Sequence, residues 1–326
     1  MRAARFRGNQ RIEIIDVPRP EPGPGEVLVE VAYCGLCGSE RLPYRRGMDL
    51  TPGHEVSGAV VAANGCDVAE GTRAAVYLSM FCGECLYCKE GTTNLCRRSR
   101  GLLGWTPPLH GGYADYVVVP ARNLLPLHPD VDLQAAVLLL DTFGTAWHAL
   151  RLVHAEEATR ALVIGCGPLG LGVLAGLQSL GVRETYASDF VASRLAAAEE
   201  FGAAPVRPEE VPALEDLDLI VEVAGQPAAL TQAVNVIAPR GTVVMLGEPR
   251  EDWPFHPCPT SMLKDYSLVR SWYFPVSEFA ENQQRLLDGK VTAAQFVSHV
   301  LPLDRLDEAF RLFVSGETRK VLVAVG

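Results

Sequence analysis

Residues 161–189, ALVIGCGPLGLGVLAGLQSLGVRETYASD, limit what this chain can fold into more than any other stretch. Leu162, Val163 and Ile164 make the short apolar run of a buried parallel strand, and Gly165, Gly167 and Gly170 follow at G-x-G-x-x-G spacing. Gly165 permits a tight turn, Gly167 lets backbone approach a pyrophosphate, and Gly170 lets a helix from Leu169 to about Leu180 pack close to its strand. The phosphates then lie at the positive N-terminus of that helix. A second strand, 184–188, ends in Asp189, nineteen residues beyond Gly170. There an acid bonds the hydroxyls of an adenosine ribose and repels a 2′-phosphate, so the pattern predicts NAD rather than NADP. A lone G-x-G-x-x-G is a weak signal; strand, helix and spaced acid in order make a strong one.

The chain has 326 residues, 48% of them apolar, enough to fill two cores. Its 29 basic and 39 acidic residues give a net charge of −10 with no basic stripe, which argues against nucleic acid as a partner. The first residues, MRAARFRGNQRIEI, hold no apolar segment of a secretory signal, and no run reaches the ~20 apolar residues of a membrane helix. A cytoplasmic protein without a membrane partner is expected. In that compartment nine cysteines are better read as ligands than as disulfides.

From residue 1 to about 130 the sequence reads as short strands broken by Gly and Pro, such as EVLVEVA (26–32) and VSGAVVA (56–62). Helical periodicity runs from Leu133 to about Val153. Strand and helix patterns then alternate over 161–181, 184–202, 218–237 and 242–246, with a last strand at 267–271. Such alternation predicts an α/β class with a doubly wound parallel sheet of the Rossmann kind. A helix is expected at 276–287, HVLPLDRLDEAF reads as another, and KVLVAV reads as a final strand with nothing left to pair with in the nucleotide domain. The expected domains are therefore a β-rich one, 1–132 with 275–326, and a nucleotide-binding one, 133–274.

Cys82, Cys85, Cys88 and Cys96 occur as C-x2-C-x2-C-x7-C within a lobe at 80–98. Four thiolates so close can surround one Zn²⁺ and leave no position for substrate, which makes the site structural. A [4Fe–4S] cluster competes for such a set, but its fourth spacing differs and Arg97, not Pro, follows the last cysteine. A second, dispersed set begins with Cys37 in CGLCGSE and His54 with Glu55 in PGHEVSG. Asp141 is the one acid in the apolar LLLDTFGTAWHAL, where a carboxylate is costly unless paired or metal-bound. Cys, His and carboxylate leave a fourth zinc position open, as catalysis requires.

These segments, with HGGYADYVVVPARNLLPLHP and the closing HVLPLDRLDEAFRLFVSGETRKVLV, resemble the zinc-dependent medium-chain dehydrogenase/reductase family of alcohol, sorbitol and threonine dehydrogenases over essentially the full length. The resemblance implies a GroES-like catalytic domain beside the Rossmann domain and two Zn per chain. It further implies hydride transfer between NAD and a secondary alcohol or polyol, or the corresponding carbonyl, in a homodimer or homotetramer. It places Cys37, His54 and Asp141 on the catalytic zinc, with Glu55 able to approach it. Ser39 falls on the residue that bonds the substrate hydroxyl, Glu40 on an acid, usually Asp, that orients His54, and Thr145 on a nicotinamide contact. Leu169, Asp189 and Arg194 match nucleotide contacts, and Leu246, Gly247 and Glu248 match a loop near the nicotinamide. Leu42 occupies the position of a proton-relay histidine and breaks that relay. Leu42, Tyr44, Trp105 and Trp272 are expected pocket residues. Two other readings are a non-enzymatic NAD-binding relative and a module that grips a partner through its zinc lobe.

Overall fold

The computed structural model describes residues 1–249, 251–254, 262–289 and 292–326. They form two units, Met1–Asp141 with Phe274–Gly326, and Thr142–Tyr273. In the second unit the strands are β1 (Arg160–Ile164), β2 (Glu184–Ser188), β3 (Ala204–Val206), β4 (Leu217–Glu222), β5 (Ile237–Met245) and β6 (Ser267–Arg270). They line up as β3-β2-β1-β4-β5-β6 with every neighbouring pair parallel, which is the Rossmann order. Continuous apolar runs are what a sheet covered on both faces requires, and Leu162, Ile164, Ile220 and Val243 share one buried cluster. Ala204–Val206 escapes the sequence pattern because it has three residues with Pro205 at its centre.

The first unit is built on a seven-stranded sheet ordered Val297–Pro302, Lys320–Ala324, Glu26–Gly35, Glu55–Asn64, Arg73–Val76 and Leu124–Pro126, with Tyr116–Pro120 also on Glu26–Gly35. Its register sets Gly35 opposite both Glu55 and Leu322. A Cβ at Gly35 would lie 2.6 Å from Glu55 Oε2 and 2.9 Å from Lys320 Cε, so glycine is what lets those two side chains meet.

Three expectations change here. The first boundary lies at Asp141 rather than 132, because the helix Leu133–Leu138 packs on strands of the β-rich unit. The helix expected from Leu133 to Val153 is broken: a π-helical turn, Asp141–Thr145, separates Leu133–Leu138 from Ala146–Leu152. Such turns are rare and occur often at functional positions. HVLP is strand rather than helix, since Val297–Pro302 pairs in parallel with Lys320–Ala324 and the helix starts only at Leu306.

Candidate active site and metal centres

Cys37 caps the 3₁₀ turn Gly38–Glu40 that follows the strand Glu26–Gly35, while His54 and Glu55 open the neighbouring strand and Asp141 opens the π turn. These elements bring the ligand atoms of Cys37, His54, Glu55 and Asp141 within 4.8 Å of one another. Asp141 Oδ2 is 3.4 Å from Cys37 Sγ and 3.2 Å from His54 Nε2. Asp141 Oδ1 and Glu55 Oε2 are buried without hydrogen-bond partners. Orphaned acceptors beside a thiol and an imidazole fit a divalent cation, whose charge would answer all four. The electrostatics agree. Burial lowers the His54 imidazole, but Cys37 and Asp141 outweigh it and raise it well above its usual range. Burial raises the Asp141 carboxyl, yet His54 and Lys320 carry it below its ordinary value. The set attracts positive charge.

Behind this cluster, Lys320 Nζ donates to Glu55 Oε1, both groups being buried. Burial pushes Glu55 up to about 7, against the lowering effect of Lys320. Glu40 is fully buried, with Oε1 3.3 Å from His54 Nδ1 and Oε2 accepting from Tyr113 at 2.6 Å and from the Cys37 amide at 3.2 Å. The Trp105 indole N–H lies 3.3 Å from the same Nδ1. Ser39 Oγ, between Cys37 and Glu40 in the chain, is buried with no partner. Leu42 is 50% exposed, whereas Tyr44 packs among Phe6 and Phe310 in the core and cannot line a pocket.

In the lobe the sulfurs of Cys82 and Cys88 are 3.9 Å apart, Cys85 and Cys88 3.5 Å, and Cys85 and Cys96 3.8 Å. A disulfide needs about 2.05 Å. A tetrahedron with zinc–sulfur bonds of about 2.3 Å has edges of about 3.8 Å, which these distances match. Backbone amides favour the thiolates: Glu84 and Cys85 donate to Cys82 at 3.3 Å each, and the Cys88 amide is the main cause that lowers Cys85 to about 6. Arg122 adds a bond to the Cys82 carbonyl.

In the nucleotide unit, Gly165 takes φ +100°, and a Cβ at Gly170 would lie 1.9 Å from the Gly165 oxygen. Gly167 caps the helix α1 (Pro168–Leu180), with Leu169 in its first turn, and a Cβ there would meet nothing within 4 Å. The turn therefore offers open space at a helix N-terminus, where a pyrophosphate fits. Asp189 Oδ2 accepts from the Cys166 amide at 2.9 Å and Oδ1 from the Val191 amide at 2.9 Å, tying the second strand to the glycine turn. Oδ1 carries only that bond, which leaves capacity for a ribose hydroxyl. Arg194 lies 3.4 Å from Oδ2 and so is engaged by the acid rather than free for a phosphate. Leu246 and Gly247 both donate to the Glu222 carbonyl, Glu248 is exposed, and a Cβ at Gly247 would lie 2.3 Å from the Gly225 nitrogen. Thr145 Oγ1 is buried without a partner.

Residues 23–129 match the alcohol dehydrogenase GroES-like domain and residues 168–288 match zinc-binding dehydrogenase. The sorbitol dehydrogenase of Bacillus subtilis is 30% identical over 273 residues, 77% of this chain and 76% of that one. The chain belongs to the zinc-dependent medium-chain dehydrogenases. Among solved structures this dehydrogenase is similar to alcohol dehydrogenase TADH from Thermus sp. ATN1, at 29% identity and TM-score 0.92 with 100% of both chains covered. It is also similar to an Escherichia coli CFT073 alcohol dehydrogenase complexed with NADH, at 27% identity and TM-score 0.89 over 99% of each chain.

Sequence reasoning missed Lys320 and the part played by Tyr113 in this dehydrogenase. Lys320 had one signal, a lone cation opening the apolar strand KVLVA. Tyr113 had none, since nothing local distinguishes it from any other core aromatic.

Proposed function

We propose that this dehydrogenase exchanges a hydride between NAD and a secondary alcohol or polyol, or the corresponding carbonyl. The dispersed cluster carries the reading, because its thiol, imidazole and two carboxylates converge within 4.8 Å while Asp141 Oδ1 and Glu55 Oε2 stay buried and unpaired. Cys37, His54 and Asp141 would hold one zinc and the lobe a second, giving two per chain. When bound, zinc supplies a Lewis acid for the alcohol oxygen and NAD supplies the hydride acceptor. Ser39 takes the proton of the substrate hydroxyl; its Oγ has no competing partner. Leu42 offers no acceptor, so the proton leaves Ser39 through water or a cofactor hydroxyl. Glu40 orients His54, Lys320 holds one oxygen of Glu55, and Thr145 with residues 246–248 contacts the nicotinamide end of the cofactor. Gly165, Gly167 and Gly170 shape the pyrophosphate turn, and Asp189 accepts from the ribose while holding Arg194.

A non-enzymatic relative would have no need of an intact ligand set, and all three ligands are present. We further propose that the enzyme acts in the cytoplasm as a homodimer or homotetramer; no helix among the described residues is long and apolar enough to cross a membrane. The test is a screen of secondary alcohols and polyols for NADH formation, with NADP run in parallel. Activity should require NAD, and Cys37→Ser should lower turnover by about 10³-fold or more with the fold intact. Equal use of NADP, or an undiminished Cys37→Ser enzyme, would contradict the reading.

A further inference from the structure

We infer that Tyr113 is a positioning residue for the catalytic metal: acting through Glu40, it fixes which nitrogen of His54 is free to bind. This deepens the metal site proposed above and rests on that reading. Tyr113 is fully buried, its ring stacked on Phe6 at 6.1 Å and edge-on to Phe310 at 6.0 Å, so its hydroxyl has little freedom. That hydroxyl has one proton and two acceptors in range, Glu40 Oε2 at 2.6 Å and the Gly35 carbonyl at 3.1 Å. The shorter contact to a charged acceptor is the stronger one. With the Cys37 amide also donating to Oε2, the carboxylate is pinned from one side. Its other oxygen, Oε1, is buried with no hydrogen bond and lies 3.3 Å from His54 Nδ1.

Two groups therefore contest Nδ1. Glu40 Oε1 can only accept and needs a proton on Nδ1; the Trp105 indole N–H can only donate and needs a lone pair there. In the structure the indole N–H donates to Nδ1 at 3.3 Å, while Oε1 makes no hydrogen bond. A buried carboxylate oxygen left unpaired costs more than a partly exposed indole that can find water, so Oε1 favours the form with the proton on Nδ1. A metal held by the Nε2 lone pair, beside Cys37 and Asp141, would require the proton on Nδ1, where Glu40 Oε1 can accept it and the indole cannot donate. Without the Tyr113 hydroxyl, Glu40 keeps one backbone donor and can rotate. Trp105 then captures Nδ1, and the proton moves to Nε2, where it blocks ligation.

The test follows zinc release from the holoenzyme to a chromogenic chelator, with the two release phases assigned by the one that Cys37→Ser lacks. Tyr113→Phe keeps the ring and should speed only that phase, by about 10-fold to 100-fold, leaving the lobe phase and the melting midpoint near wild type. In a Glu40→Ala background, Tyr113→Phe should add nothing, since both act on one link. Wild-type release from the single variant Tyr113→Phe overturns the inference. So does acceleration of both phases with a lowered midpoint, the behaviour of a purely structural core residue. A wild-type enzyme with a single phase that survives Cys37→Ser overturns the proposed function instead.

Discussion

The four sulfurs of the lobe come from one short run, Cys82 to Cys96, whereas 104 positions separate Cys37 from Asp141 in the dispersed cluster. The lobe draws its support from its own backbone, through amides of Glu84 and Cys85 and an exposed Arg122. The dispersed cluster draws its support from buried side chains, Lys320 on a distant strand, Glu40 in the turn that Cys37 caps, and Tyr113 in the loop before Tyr116–Pro120. A contiguous cluster with four like ligands suits permanence. A mixed one held by braces suits chemistry, because its donors can be tuned and one position left open.

The largest effect that would sharpen this contrast is on a brace. Lys320→Met strips a buried ion pair of one partner and strands Glu55, which should cost about 3–5 kcal/mol in denaturant unfolding. A loss under about 1 kcal/mol would mean the pair supports nothing. Next, Ser39→Ala should lower turnover about 10²-fold, roughly 2.7 kcal/mol, with both metals retained. Near-normal turnover would remove Ser39 from the mechanism and leave the dispersed cluster without a proton acceptor. Smallest, Arg122→Ala should cost no more than about 1 kcal/mol, since its bond to the Cys82 carbonyl is exposed and the amides carry the lobe. A loss like that of Lys320→Met would erase the distinction between the two kinds of support.

The same contrast explains how much was legible in the sequence. The glycine turn was readable because its positions sit at a fixed local spacing, two of them under steric demand, as the φ of +100° at Gly165 and the 1.9 Å approach at Gly170 show. The lobe was readable because its ligands share one short segment. The dispersed ligands could be nominated from residue type, Asp141 as the one acid of an apolar stretch, but their meeting could not be read locally, because strand register brings them together and register is not written in local spacing. Lys320 meets Glu55 across 265 positions through the pairing of the last strand with Glu26–Gly35. The π turn at Asp141 was hidden for a different reason, since the apolar periodicity of LLLDTFGTAWHAL continues through it while the hydrogen bonding changes. The strand at Val297–Pro302 was masked by the helical periodicity of LDEAFRLF just downstream.

Zinc per chain, measured by elemental analysis on protein purified without chelator, tests most directly the claim that the clusters are separate sites with separate tasks. Wild type should hold about two, and Cys37→Ser about one, with activity gone and the melting midpoint nearly unchanged. Cys85→Ser should also hold about one, with a lowered midpoint. A single zinc that survives Cys37→Ser and is lost in Cys85→Ser would contradict the account.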